Sequence, residues 1–124
     1  VASNWNCIAR RLKEVRLTYG LSQKKLGILA GIDAHSASAR MNQYELGKHV
    51  PNFSILQNIG KALGYPASFF TSNDDLMAHI IYLSGKLLDV DKRKIIDMGE
   101  KLGAHYKDIV KPDTSSLDKK DIHS

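Results

Sequence analysis

Over residues 1–70 apolar side chains return every three or four positions, the interval that gathers them on one side of an α-helix. Ile8, Leu12, Val15 and Tyr19 make a first stripe, which Gly20 ends. Ser22 is placed to cap a second helix, with Leu26, Leu29 and Ala30 inward and Gly31 closing it. A third segment carries Ala37, Met41 and Tyr44 at helical spacing and stops at Gly47. After Pro51 a fourth helix turns Phe53, Leu56, Ile59, Ala62 and Leu63 inward and ends at Gly64. Residues 66–70 read as a short fifth helix that sets Phe69 and Phe70 against the core. The alternating pattern of strands is scarce, so the expected class is all-α.

Residues 71–75, Thr-Ser-Asn-Asp-Asp, combine a linker with a helix start: Ser72 or Asn73 can cap, and Asp74 and Asp75 suit the positive end of the helix dipole. Leu76, Ile80, Leu83 and Leu87 follow as a stripe flanked by Met77, Ile81 and Leu88. Asp89 is placed to cap a last helix bearing Ile95, Met98 and Leu102. The expected organisation is a folded domain over residues 1–70, a helical segment over 71–110 and a disordered tail over 111–124, where the chain turns polar and nonperiodic. Two short amphipathic helices bury little by themselves, so they fold back on the domain or pair with a second copy. Their apolar stripes run on two adjacent faces, which favours pairing, with Leu76, Ile80, Leu83 and Leu87 as the dimerisation residues.

The third segment is unusual in its polar half. At about 100° per residue, Ala37, Met41 and Tyr44 fall within about 60° of one another. Opposite them lie Ala39, Asn42 and Gln43, with Ser38 and His35 beside them and Arg40 and Ser36 at the boundary. Solvated helix faces usually carry Glu and Lys, and neither occurs between Asp33 and Tyr44. Side chains that give and accept hydrogen bonds, with small residues between them, match what a DNA major groove offers. Charge agrees: residues 1–66 hold nine Lys and Arg against three Asp and Glu, a balance of +6, while residues 67–124 hold nine against ten, or −1. The excess positive charge on the first part suits a polyanionic partner.

The run Leu21-Ser22-Gln23-x-x-Leu26-x-x-x-Ala30-Gly31-Ile32, followed by Asn42-Gln43-Tyr44-Glu45-x-Gly47-x-x-x-Pro51, resembles the helix-turn-helix of phage-repressor/Cro-like (XRE-type) transcriptional regulators. The resemblance covers residues 8–70. It implies a five-helix, lambda-repressor-like domain, here followed by two C-terminal helices. It also implies sequence-specific binding to double-stranded DNA and regulation of transcription, as a repressor acting as a homodimer on a palindromic operator. On the family's pattern Ser38, Ala39, Asn42 and Gln43 match positions that face bases or the adjoining backbone, and Arg40 one at the groove edge, giving the base-reading set. Gln23 looks like the family's phosphate clamp, and Arg10, Lys48 and His49 would reach flanking phosphates. Glu45 in this family bonds within the domain.

Two departures stand out. Gly27 occupies a position where the family has Ala, at a helix cost of about 1 kcal/mol. The stretch from Gly31 to Glu45 is four residues longer than the family's spacing, about one helical turn. Either Asp33 caps a longer third helix, or Ser36 caps a helix of ordinary length after a longer turn.

Other chemistry finds little support. The five histidines (35, 49, 79, 105 and 123) are scattered and there is no second cysteine, so no metal or other cofactor is expected. Ser22-x-x-Lys25 matches part of an acyl-enzyme pattern, but Ser22 is accounted for as a cap, and no catalysis is expected. Cys7 reads as a partly buried small apolar residue, and a lone thiol agrees with a reducing, cytoplasmic setting. No apolar run reaches the ~18 residues of a membrane span, and no membrane partner is expected. Two other uses of such a chain stay open: an antitoxin-type regulator whose C-terminal helices bind a toxin protein, or a protein-interaction module built on the same fold.

Overall fold

The computed structural model describes residues 5–104 and 113–117, with the side chains of residues 5 and 6 left aside. Among the described residues there are seven helices and no strand. They are α1 (Trp5–Thr18), α2 (Gln23–Leu29), α3 (Ala34–Glu45), α4 (Phe53–Leu63), α5 (Ala67–Thr71), α6 (Asp75–Ser84) and α7 (Asp89–Gly103). The chain divides into two compact units after Leu87, so α1–α6 form one and α7 belongs to the other. The tail expected from residue 111 lies, apart from residues 113–117, outside the described residues. No described helix is long and apolar enough to cross a membrane.

The core of the first unit takes one fully buried large side chain from each of its first five helices: Leu12, Leu26, Met41, Ile59 and Phe70. Cys7, Ile8 and Val15 complete the α1 face, and Cys7 is buried outright rather than in part. Tyr19 lies past the end of α1 and is exposed; it donates its hydroxyl hydrogen to the Leu63 carbonyl at 2.8 Å instead of filling the core.

Two helices sit at a different rotation from the one their spacing suggests. On α4 the buried residues are Ile55, Leu56, Ile59 and Gly60, while Phe53 and Ala62 are exposed. α5 and α2 are the helices packed against α4. On α2 the inward positions are Leu26, Gly27 and Ala30, and Leu29 turns toward solvent. The seat expected for Leu29 is displaced because α3 packs directly over Gly27. A Cβ there would stand 2.7 Å from the Ala37 carbonyl oxygen and 2.8 Å from its Cβ. The glycine that weakens α2 in isolation is therefore what lets α3 approach it.

α6 is joined to this core by a buried cation. Arg11 is only 4% exposed and lies 5.2 Å from the centroid of the Phe69 ring. Its Nε donates to the Ser72 carbonyl at 3.0 Å and its Nη2 to Asp75 Oδ1 at 2.9 Å. Arg10 Nη2 donates to the same oxygen at 3.0 Å, and the two guanidinium groups hold the Asp75 carboxyl below the usual carboxylate range. Asp74, not Ser72 or Asn73, caps α6, accepting from the N–H groups of Leu76 and Met77. Asp89 likewise is the first residue of α7 rather than its cap; Leu88 holds the cap position without a side-chain bond. Its carboxylate still sits in the first turn, where the helix dipole favours it.

Gly27→Ala gains about 1 kcal/mol of helix propensity but forces Cβ onto the Ala37 backbone, so a net loss of about 1–3 kcal/mol is expected. Urea unfolding measures it. An unchanged or raised midpoint would show that α2 and α3 do not depend on this close approach.

Candidate functional site

The turn between α2 and α3 is built from local bonds. Ser22 Oγ accepts from the Lys25 N–H at 3.0 Å and starts α2. Gly31, at φ +88°, ends it, with the Ile32 N–H donating to the Gly27 carbonyl at 3.0 Å while the Ile32 side chain is buried. Such a left-handed residue is open to glycine at little cost. Asp33 Oδ2 then accepts from the His35 N–H at 3.1 Å, which makes Asp33 the cap of a twelve-residue α3. Asp33, not Ser36, therefore caps α3, and the connection from α2 is tight.

α3 has two chemically distinct sides. Ala37, Met41 and Tyr44 are buried, with Ala37 and Met41 wholly so. Ser38, Ala39, Arg40, Asn42 and Gln43 are all exposed, as are His35 and Ser36 in the added turn. Arg40 is the least free of these. Its Nη2 donates to the Tyr44 hydroxyl at 2.8 Å and its guanidinium lies 5.8 Å from the centre of that ring. Arg40, Gln43, Tyr44, His49 and Val50 line a shallow recess of about 400 Å³ at the end of the helix.

Beneath this surface runs a hydrogen-bonded relay. Glu45, with a side chain 3% exposed, accepts two bonds from Arg16 of α1: Nε at 2.7 Å and Nη2 at 2.9 Å. Arg16 Nη1 also donates to the Leu21 carbonyl at 3.1 Å, and the bonds to Glu45 hold its guanidinium pKa above the ordinary arginine value. Gln23, the first residue of α2, places Nε2 3.4 Å from Glu45 Oε1 and 3.1 Å from Asn42 Oδ1. The polarity of this chain is forced. A carboxylate accepts only, so the Gln23 atom facing it is the amide nitrogen, and the Asn42 atom facing that nitrogen is the carbonyl oxygen. The Nδ2 hydrogens of Asn42 are then left for a partner outside the domain.

The remaining candidates divide. Lys48 and His49 are exposed directly after α3, and their N–H groups donate to the Gln43 carbonyl at 2.9 and 3.4 Å, which ties them to the end of the helix. Gln23 joins the same cluster through Asn42. Arg10 does not; its guanidinium is paired with Asp75 and, at 3.5 Å, with Glu14. Leu76, Ile80 and Leu83 form an exposed apolar face on α6, and Leu87 lies beyond the end of that helix, half-buried. Sequence reasoning missed Arg16, which it counted only as one of nine basic residues. Its partner lies 29 positions away, and no local pattern joins them.

Removing one member of the partly buried Arg16–Glu45 pair leaves the other charge without its partner. Glu45→Ala is expected to cost about 1.5–3 kcal/mol, and the double variant Arg16→Met/Glu45→Leu to recover part of it. Urea unfolding of the single and double variants measures both. A loss below about 1 kcal/mol for Glu45→Ala, as for a surface pair, would remove this bond from the frame.

No protein-family model matches the chain, and no curated protein does. Among solved structures, the crystal structure of the transcriptional regulator BswR superposes on it with a TM-score of 0.67. The two sequences are 37% identical, and the match covers 78% of this chain and 96% of that one. An identity of that level over nearly the whole of the other chain shows common descent as well as a common fold: the chain belongs to the family of the transcriptional regulator BswR.

Proposed function

We propose that this regulator acts by sequence-specific binding to double-stranded DNA through an XRE-type helix-turn-helix, as a repressor and as a homodimer on a palindromic operator. The observation that carries the reading is the outward side of α3. It offers Ser38, Arg40, Asn42 and Gln43 around Ala39, all exposed, with no carboxylate between Asp33 and Glu45 to repel phosphate. The relay below supports it: Asn42 is held with its amide hydrogens outward, suited to an acceptor on a base edge. Gln43 can pair with adenine, Arg40 with guanine, and Ala39 can touch a thymine methyl. Lys48, His49 and Gln23 border the helix and would contact phosphates, adding affinity without sequence information. Arg10 could join them only by leaving Asp75.

The dimer follows from α6, within the 71–110 segment assigned to self-association. Its outward residues Leu76, Ile80 and Leu83 are about half to three-quarters exposed, the kind of apolar surface a second copy would cover. In such a dimer two α3 helices about 34 Å apart would read successive major grooves on one side of the duplex. The work is binding without catalysis, in the cytoplasm, and needs no cofactor.

Selection from randomised duplex DNA at two salt concentrations tests the reading. A recurring, two-fold symmetric sequence is expected, with a log–log salt slope of about −0.9 per phosphate contacted. Lys48→Ala should weaken all sequences alike and flatten the slope by about one unit. A slope near zero, or no enriched sequence, would overturn DNA reading. Separately, replacing Ile80 and Leu83 with Asp should halve the mass measured by light scattering; an unchanged mass would move the dimer contact away from α6.

A further inference from the structure

We propose that the added first turn of α3 extends the reading edge, and that His35 is a specificity-determining residue of the DNA site. This rests on the assignment of α3 as the DNA-reading helix. Three observations carry it.

The first is continuity. Asp33 caps α3, so residues 34–37 are regular helix and His35 keeps phase with the residues after it. Taking the buried Ala37, Met41 and Tyr44 as the inner direction, Ala39 lies about 13° from the opposite pole and His35 about 27°. Asn42 and Gln43 lie about 45–55° from it. His35 is therefore nearer the centre of the outward face than two of the residues assigned to bases, and Ser36 lies on the Gln43 side. His35, Ala39 and Asn42 form one row at helical spacing.

The second is reach. From His35 to Gln43 the helix advances about 12 Å, against about 8 Å from Ser38 to Gln43 for a helix that began at Ser38. Base pairs are spaced about 3.4 Å apart, so the added turn brings roughly one further base pair within range. N-terminal residues of a recognition helix are also those that meet base edges.

The third is what the turn does not hold. The Asp33 carboxylate is bonded to the His35 N–H, so this end of α3 carries its own anion and is not a seat for a phosphate. Contact through this turn therefore falls to side chains. His35 is exposed and its side chain has no bond to any other described residue, and an imidazole N–H can donate to the N7 or O6 of a purine.

The test is selection from randomised duplex DNA with the full chain and with its His35→Ala and Gln43→Ala variants. Alanine is a good helix former and His35 is exposed, so the variant keeps its fold, which circular dichroism checks. His35→Ala is expected to lose discrimination, about five- to 150-fold, at one base pair of each half-site, different from the one relaxed by Gln43→Ala. If the parent selects a sequence and His35→Ala returns it with the same preferences, His35 is not a reader, although α3 still is. A uniform loss over all sequences would also overturn the proposal, since that marks a backbone contact. If the parent selects no sequence, DNA reading by α3 fails and this inference with it.

Discussion

Everything at the proposed interface hangs on one partly buried ion pair. Arg16 on α1 and Glu45 at the last turn of α3 meet through two short, partly buried bonds. Breaking such a pair is far costlier than its net worth, because the survivor is an unpaired charge in a low-dielectric site. The arrangement therefore specifies more than it stabilises. It sets where α3 ends against α1, brings the Gln23 amide nitrogen in from α2, and through Gln23 decides which end of the Asn42 amide faces outward. A surface side chain is thus oriented by a carboxylate that no partner could touch.

The same helix must pack and present, and small residues allow both. Gly27 lets α3 settle so close to α2 that a single methyl group would clash with the Ala37 backbone. Ala37 is wholly buried at that crossing, while Ala39, two residues on, is exposed and keeps the outward side low. The tight turn through Gly31 and Ile32 sets the direction of α3, and the Asp33 cap begins it. Its first turn, residues 34–37, adds exposed His35 and Ser36 to the outward side while Ala37 fills the core.

Periodicity made much of this legible. The stripes of α1 and α3, the Ser22 cap and the glycine stops at Gly31, Gly47 and Gly64 are local signals with local causes. What failed was rotation. Apolar spacing locates a helix face to within a residue or so, but burial depends on which neighbours arrive, so Tyr19, Leu29, Phe53 and Ala62 read as inward and lie outside. Caps among adjacent candidates were equally open: Asp74 prevails over Ser72 and Asn73 because its side chain reaches two N–H groups at once. Arg16–Glu45 and Arg11–Asp75 join residues 29 and 64 apart, and only the assembled fold shows them.

The central claim is that Asn42 and Gln43, held from below, read bases. Their side-chain amide resonances in the full chain, followed by NMR as duplex DNA is added, test it most directly. Titration with the duplex the protein itself selects should shift both pairs of amide signals, and a scrambled duplex of equal composition should leave them in place. Unchanged Asn42 and Gln43 signals while the selected duplex is bound would contradict the assignment of α3 as the reading helix.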